Sequence, residues 1–240
     1  MSTLVEKIAA LIAPDVTIER GEGQAAISRD AEILDQLLAA GSETSFIRLW
    51  TNSRCLVTTR VVARMPAFAK AAAGAQACAW PVHVRHSGGS TVVHRPGILN
   101  ISMFRCGSGK SPGIHAAYGE LVRCVKTALV HLGVEVSTGS VPGSFCDGRY
   151  NIIAGGRKIA GTACHSRLSR TGYALLAHAS LLVEGNIGSD INIISRFERS
   201  LSLHQQYDRN AHATLAEILD ERRLLVMGSA EAQDFCGCRP

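Results

Sequence analysis

The chain has 240 residues, with 25 Lys and Arg against 20 Asp and Glu, for a formal net charge of +5. That length buries a full core, as one large domain or one domain with a short appendage. Apolar residues make up 46% and charged residues 19%, which excludes a disordered or low-complexity chain.

The mild positive balance suits an acidic partner surface or anionic substrates. No Lys/Arg run is interleaved with aromatics, so nucleic acid is not an expected partner. Residues 1–15 hold one short apolar run, Ile8 to Ala13, with neither a basic leader nor a cleavage site, so no secretory signal is expected. No segment approaches the ~20 apolar residues of a spanning helix, so no membrane association is expected. Eight cysteines are scattered, which predicts reduced thiols and a cytoplasmic setting. Cys236 and Cys238 form a C-x-C with no second pair at metal-ligand spacing, so no metal is expected.

In chain order, Ala31 to Leu38 reads as an amphipathic helix with Asp30 near its start and Gly41 at its end. Phe46 to Trp50 and Cys55 to Val62 read as strands across a Thr51-Asn52-Ser53 turn. Pro66 to Ala75 reads as a helix. Val82, Val84 and His86 alternate with His83 and Arg85, the period of a half-buried strand. Strands follow at Thr91 to Val93 and Ile98 to Phe104. Pro112 to Leu132 is the longest helical stretch, with Ala117, Leu121, Val125, Ala128 and Leu132 on one face and Gly133 as its stop. Tyr150 to Ala154 and Arg157 to Ala163 form a hairpin across Gly155-Gly156. Tyr173 to Val183 is a further strand, and Ala211 to Met227 a late helix. Strands in succession with occasional helices give an α+β class.

Two glycine-paired segments carry the chemistry. Ser87-Gly88-Gly89-Ser90, with His94 and Pro96-Gly97-Ile98-Leu99-Asn100 beyond it, lets the backbone approach a ligand and offer N–H groups to an anionic oxygen. Gly155 to Ala163 places Lys158 on a strand just after a tight turn, a fixed cation for a carbonyl-derived group. Cys146 stands in a Gly/Ser-rich loop before that hairpin and reads either as a nucleophile or as one more small packing residue. His94 reads as a proton shuttle or a hydrogen-bonded structural histidine, and Asn100 as a pin for the loop. An apolar tunnel for an acyl tail would take Val92, Leu99 and Ile101 as walls. Gly107-Ser108-Gly109-Lys110-Ser111 resembles a phosphate loop but has Phe104 where that pattern needs glycine, so it reads as an ordinary loop.

Arg85-His86-Ser87-Gly88-Gly89 with His94 and Gly97-Ile98-Leu99-Asn100 resembles the R-x-S-G-G…H…G-N-L-N element of lipoate–protein ligases. Arg48-Leu49-Trp50 is similar to the strand preceding it. Gly148-Arg149-Tyr150-Asn151 resembles their G-R-N-D, and Gly156-Arg157-Lys158-Ile159-Ala160-Gly161-Thr162-Ala163 their G-K-K-I-S-G-S-A. The resemblance spans about residues 28 to 200. Within the same superfamily, His94-Arg95-Pro96-Gly97-Ile98-Leu99 resembles the H-G-P-G-Q-L of octanoyltransferases, and Cys146 lies near where a related octanoyltransferase group carries its nucleophile.

The resemblance implies a biotin/lipoate-ligase-type α+β domain over residues 1–200, then a helix and flexible tail over 201–240 in place of a full accessory domain. It implies transfer of an octanoyl or lipoyl group to a lysine of lipoyl domains, those of 2-oxoacid dehydrogenases or the glycine-cleavage H protein. As a transferase, the enzyme would use Cys146 and Lys158, an acyl-carrier donor and no cofactor. As a ligase, it would use ATP and Mg2+ with lipoate or octanoate. A non-catalytic relative that binds lipoyl domains or an acyl ligand is the third reading. The implied binding set is Arg85, Ser87, Gly88, Gly89, His94, Asn100, Arg149, Asn151, Gly161, Thr162 and Ala163.

Overall fold

A computed structural model describes residues 3–224 of the chain. It opens with helix α1 (Leu4–Ile12), which buries Val5, Ile8, Ala9 and Ile12 at helical spacing and is capped by Thr3 with Glu6 in a reciprocal box. Strand β1 (Glu19–Gly21) leads into helix α2 (Gly23–Ala40). That helix starts well before the expected Ala31. Asp30 suggests a cap by residue type, yet it lies mid-helix on the buried face with Ala26, Ile27, Ile33 and Leu34.

Strands β2 (Thr44–Asn52) and β3 (Cys55–Thr59) follow; the second stops at Thr59, where the threonine hydroxyl caps the one-turn helix α3 (Arg60–Ala63). The expected strand to Val62 therefore ends early. After helix α4 (Phe68–Gln76) come β4 (Val82–Arg85), β5 (Val92–His94) and the long β6 (Ile98–Ser108). Helix α5 (Ile114–Val130) lies within the predicted long helix, and β7 (Ser137–Gly139) leads to the expected hairpin, β8 (Asn151–Ala154) and β9 (Arg157–Leu168). Gly155 and Gly156 have φ of +54° and +74°, the left-handed pair that such a turn needs. Strand β10 (Gly172–Leu182) precedes helix α6 (Ile187–Ser200), which was not anticipated from sequence. Its last described helix begins at 215, not at 211, and the remainder of the anticipated helix, with Cys236 and Cys238, lies outside the described residues.

The strands form a seven-stranded sheet in the order β1-β2-β6-β10-β9-β8-β7 and a three-stranded sheet in the order β4-β3-β5. Strand alternation divides the large sheet into two faces. Leu99 and Ile101 of β6, with Leu175 and Leu181 of β10, face α1 and α5. Phe104 and Leu176 face Ile33 and Leu34 of α2. The small sheet packs Leu56 and Val93 against α4 and α6. Residues 201–224 are part of this packing, because Ala213, Leu215 and Ile218 complete the first core cluster.

Helix α6 is tied down by a buried ion pair. Arg95 Nη2 and Nε donate to Asp190 at 2.7 and 2.9 Å, and Arg95 Nη1 donates to the Glu184 carbonyl at 2.6 Å. Removing one partner strands the other charge in the interior, which costs about 3–5 kcal/mol. Asp190→Asn should lower the denaturant-unfolding free energy by roughly that amount; a change below about 1 kcal/mol would show that water replaces the pair.

Candidate active site

Between α2, the small sheet and the face of β9 and β10 lies a cavity of about 940 Å³ of empty space, its open mouth included. Leu34, Trp50, Val57, Val92, Leu176 and Leu182 supply apolar wall, and Arg85, Ser87, Gly88, His94, Cys146, Lys158 and His178 line it with polar groups. Of the expected acyl walls, only Val92 lines it. Leu99 and Ile101 point to the opposite face of β6, where the pleat sends them into the α1/α5 core.

The two glycine-paired segments meet here. Lys158, 1% exposed, reaches from β9 to the loop carrying Cys146. Its Nζ donates to the carbonyls of Phe145 at 2.6 Å and Cys146 at 2.7 Å. Burial pulls its pKa down to about 8, opposed by the nearby Cys146 and Asp147. The amine is thus largely charged at pH 7, with one of its three hydrogens unspent by those two bonds. Cys146 holds a left-handed backbone, φ +47°, unusual for a residue with a side chain. Its Sγ accepts from the Ser90 N–H at 3.2 Å and lies 3.9 Å from Arg85 Nη2.

Arg85 is spent mainly on the bend itself. Its guanidinium donates to the carbonyls of Val57 at 2.9 Å, Gly88 at 2.9 Å and Ser90 at 2.7 Å. Gly89, at φ +105°, leaves the room this needs: a Cβ there would come within 2.7 Å of Cys146 Sγ and 2.8 Å of Arg85 Nη2. Ser87 Oγ pairs with His178 Nε2 at 3.0 Å. Gly161, Thr162 and Ala163 line the cavity along β9, and the Thr162 hydroxyl donates to the Tyr150 carbonyl at 2.8 Å.

Gly89 itself is outside the cavity lining, and three further expected binding residues are also placed otherwise. Arg149 is exposed and outside the cavity lining. Asn151 is buried and donates to Asp147 Oδ1 at 2.5 Å, so it fixes the Cys146 loop from outside the cavity. Burial alone would raise the Asp147 pKa, but hydrogen bonds from Ser140, Val141, Gly148 and Asn151 outweigh it and lower the value. Asn100 pins a strand where a loop was expected: its Oδ1 accepts from Ser180 Oγ of β10 at 2.7 Å. His94 does line the cavity, buried and packed edge-on to Trp50. Burial, then the neighbouring Arg85, lowers its pKa to about 3, so the ring is neutral at physiological pH.

Sequence reasoning did not place His178, His212 or Asp30 in the site. Asp30 accepts from Arg48 Nη1 and Ser102 Oγ, both at 2.7 Å, and lines the cavity. His178 and Ser180 carried one available signal: on a strand whose pocket-facing positions alternate, both fall in phase with Leu176 and Leu182. Among the described residues, no three His, Cys, Asp or Glu side chains converge as a metal site. No described helix is long and apolar enough to cross a membrane.

The family model of the lipoyl protein ligase A/B catalytic domain matches residues 23–222. The chain belongs to that family. The family span starts at α2 and runs through the last described helix, so it takes in every residue of the cavity. Among its relatives, an uncharacterized protein of Cupriavidus necator is 34% identical over 205 residues, 80% of each chain. An octanoyl-[GcvH]:protein N-octanoyltransferase of Kyrpidia tusciae is 35% identical over 163 residues, 65% of this chain and 56% of that protein. The chain thus spans little more than half the length of that octanoyltransferase. In fold, a lipoate-protein ligase A structure bound with ATP superposes with a TM-score of 0.56 at 17% identity, covering 86% of this chain and 90% of that one. The family's α+β catalytic fold is therefore the fold of this chain.

Two measurements test this geometry. Gly89→Ala should destabilise the protein by about 1–3 kcal/mol through backbone strain and the clash with the thiol. Gly88→Ala, whose Cβ would meet nothing within 4 Å, should change stability by less than about 1 kcal/mol in the same denaturant titration. The second concerns acid. Burial lowers the pKa of His94 and His178 to about 3, and of His212 to about 4. Between those values and the unfolded value near 6.5 the unfolded chain binds more protons, so stability rises with pH across that window. Unfolding midpoints should therefore fall steadily as pH drops from about 6.5 toward 4; a flat profile would contradict burial of the neutral rings.

Proposed function

We propose that the chain is an acyltransferase that moves an octanoyl group, through a thioester on Cys146, to a lysine of a lipoyl-type carrier domain. The supporting observation is the Cys146 thiol itself: it lines an apolar-walled cavity with a backbone N–H on its sulfur and the Lys158 amine fixed on its own carbonyl. The reading also draws on the octanoyl-[GcvH]:protein N-octanoyltransferase relative, whose name puts the octanoyl donor on GcvH.

In the first step Cys146 Sγ attacks the octanoyl carbonyl, the donor leaves with a proton, and the thioester forms with the chain lying along Leu34, Val57 and Leu176. The Ser90 N–H, 3.2 Å from the sulfur, and the Arg85 guanidinium, 3.9 Å away, hold Sγ in place for attack. Lys158, anchored by two carbonyls, offers its remaining N–H to the oxyanion as it develops. In the second step the acceptor lysine amine attacks the thioester, sulfur leaves, and an amide is made. From a thioester donor the first exchange is nearly isoenergetic and aminolysis runs downhill; from an amide donor the whole transfer is amide to amide. Neither route consumes ATP. The donor is a carrier domain, GcvH-like by the relative's name or acyl-carrier protein by the earlier expectation, and the reduced Cys146 suits a cytoplasmic setting.

A ligase route, with lipoate activated by ATP and Mg2+, uses the same cavity and Lys158 but leaves the thiol without a task. Intact-mass measurement separates the two. Incubation with octanoyl-GcvH or octanoyl-acyl-carrier protein should add one octanoyl group to the wild-type chain and none to Cys146→Ala. Lys158→Met should slow adduct formation by about 100-fold or more, as loss of an oxyanion donor does. Full-rate lipoylation by Cys146→Ala with lipoate, ATP and magnesium would overturn the covalent route.

A further inference from the structure

Behind the Cys146 loop, away from the cavity, runs the segment 207–213. We propose that His212, latched between the Asp208 carbonyl and the Phe145 N–H, is a positioning residue that fixes the orientation of the Cys146 thiol. The proposal rests on the reading of Cys146 as the acyl carrier. It adds to that site a residue that touches neither substrate nor sulfur.

The geometry is specific. Phe145 N–H donates to His212 Nε2 at 3.0 Å, so the ring proton belongs on Nδ1, which lies 2.9 Å from the Asp208 carbonyl. The imidazole stacks on the Phe145 ring at 4.4 Å, while Tyr207 meets that ring edge-on at 6.4 Å. Phe145 is thereby held by the strap at its N–H, by the stacked His212 ring and by the edge-on Tyr207 ring, and at its carbonyl by Lys158. The next residue, Cys146, sits in a left-handed conformation that a side chain disfavours. Such a conformation persists only where its neighbours over-determine it, and the fully buried His212 supplies the contact on the N-terminal side.

The strap is anchored at both members of the site. Asp208 N–H donates to the Gly143 carbonyl at 2.8 Å, at the start of the Cys146 loop. Ala213 N–H donates to the Lys158 carbonyl at 3.0 Å, extending a parallel bridge between Lys158 and His212. One segment therefore sets the cysteine loop and the lysine strand relative to each other. Without the Nε2 acceptor, the buried Phe145 N–H loses its partner. Turning that peptide to relieve the loss carries Cys146 away from the Ser90 N–H and Arg85.

The test uses the full chain as wild type, His212→Phe and His212→Gln. Phenylalanine keeps a stacked ring without an acceptor, and glutamine keeps an acceptor near the Nε2 position without the ring. Melting temperatures identify a folding defect. A short iodoacetamide pulse with peptide-resolved mass spectrometry reads Cys146 alone, against buried Cys55 as reference, and needs no acyl donor. We expect Cys146 alkylation to fall about tenfold in His212→Phe as the sulfur leaves its donors, and to recover to within about threefold in His212→Gln. Octanoyl-adduct formation should follow the same order, in rate at saturating donor and not in KM. An unchanged or faster alkylation in a folded His212→Phe overturns the proposal, as does equal loss in both variants. If wild type forms no octanoyl adduct, the acyltransferase reading fails while the alkylation series still decides the role of His212.

Discussion

The buried amine of Lys158 is the constraint on which the site depends. A lysine 1% exposed must spend its hydrogens on acceptors, and it finds them on the consecutive carbonyls of Phe145 and Cys146, in the loop between β7 and β8. Desolvation lowers its pKa to about 8, opposed by the nearby Cys146 and Asp147, so it stays largely a cation at neutral pH. Its bonds also orient the backbone of Cys146 toward the diglycine bend. On the proposed reading, the same interaction serves folding and chemistry, because the loop that it orders carries the thiol.

Around that amine the cavity joins three layers of different origin. The sheet face beneath it is partly polar, with His178 and Ser180 in phase with Leu176 and Leu182 on β10. Above lies α2, whose buried Asp30 is neutralised by Arg48 and fixed by Ser102. At the side, Arg85 folds the 88–90 bend around its own guanidinium, and Gly89 leaves the gap in which sulfur and guanidinium sit. Few of these polar groups are free to adapt. A site so pinned is pre-organised, which favours stabilising charge that develops during reaction over reshaping around each ligand.

Much of this was legible in the chain. The diglycine turn before Lys158 and the long amphipathic helix that stops ahead of Gly133 follow from local rules that the structure keeps. Residues 82–85 form the expected strand, but its buried position is Arg85 and His86 is exposed, so the expected alternation is not kept. Motif order carried the family and the α+β class, since glycine pairs, histidine and lysine at those spacings recur for a chemical reason. Other features failed for equally physical reasons. Asp30 looked like a helix cap because isolated aspartate prefers that place, and its burial is made tolerable by Arg48, 18 residues away, and by the Ser102 hydroxyl. Helix α6 hid because Asp190 and Glu198 stand on its buried face, partnered by Arg95 and Tyr207 from elsewhere. Leu99 and Ile101 were given to the cavity because the strand was identified without its pleat phase.

The sequence by itself determined most of the strands, the long helix before Gly133, the turn at Gly155-Gly156 and the family motifs, because each depends on residues adjacent in the chain. Tertiary structure alone decided which face of β6 meets the cavity, that Arg149 stays outside it, and that residues 207–213 return to brace Phe145. Those outcomes depend on contacts between segments tens of residues apart. There the sign of a residue's contribution is set by a partner: a buried aspartate or histidine is costly alone and stabilising only once Arg48 or the Phe145 N–H has arrived.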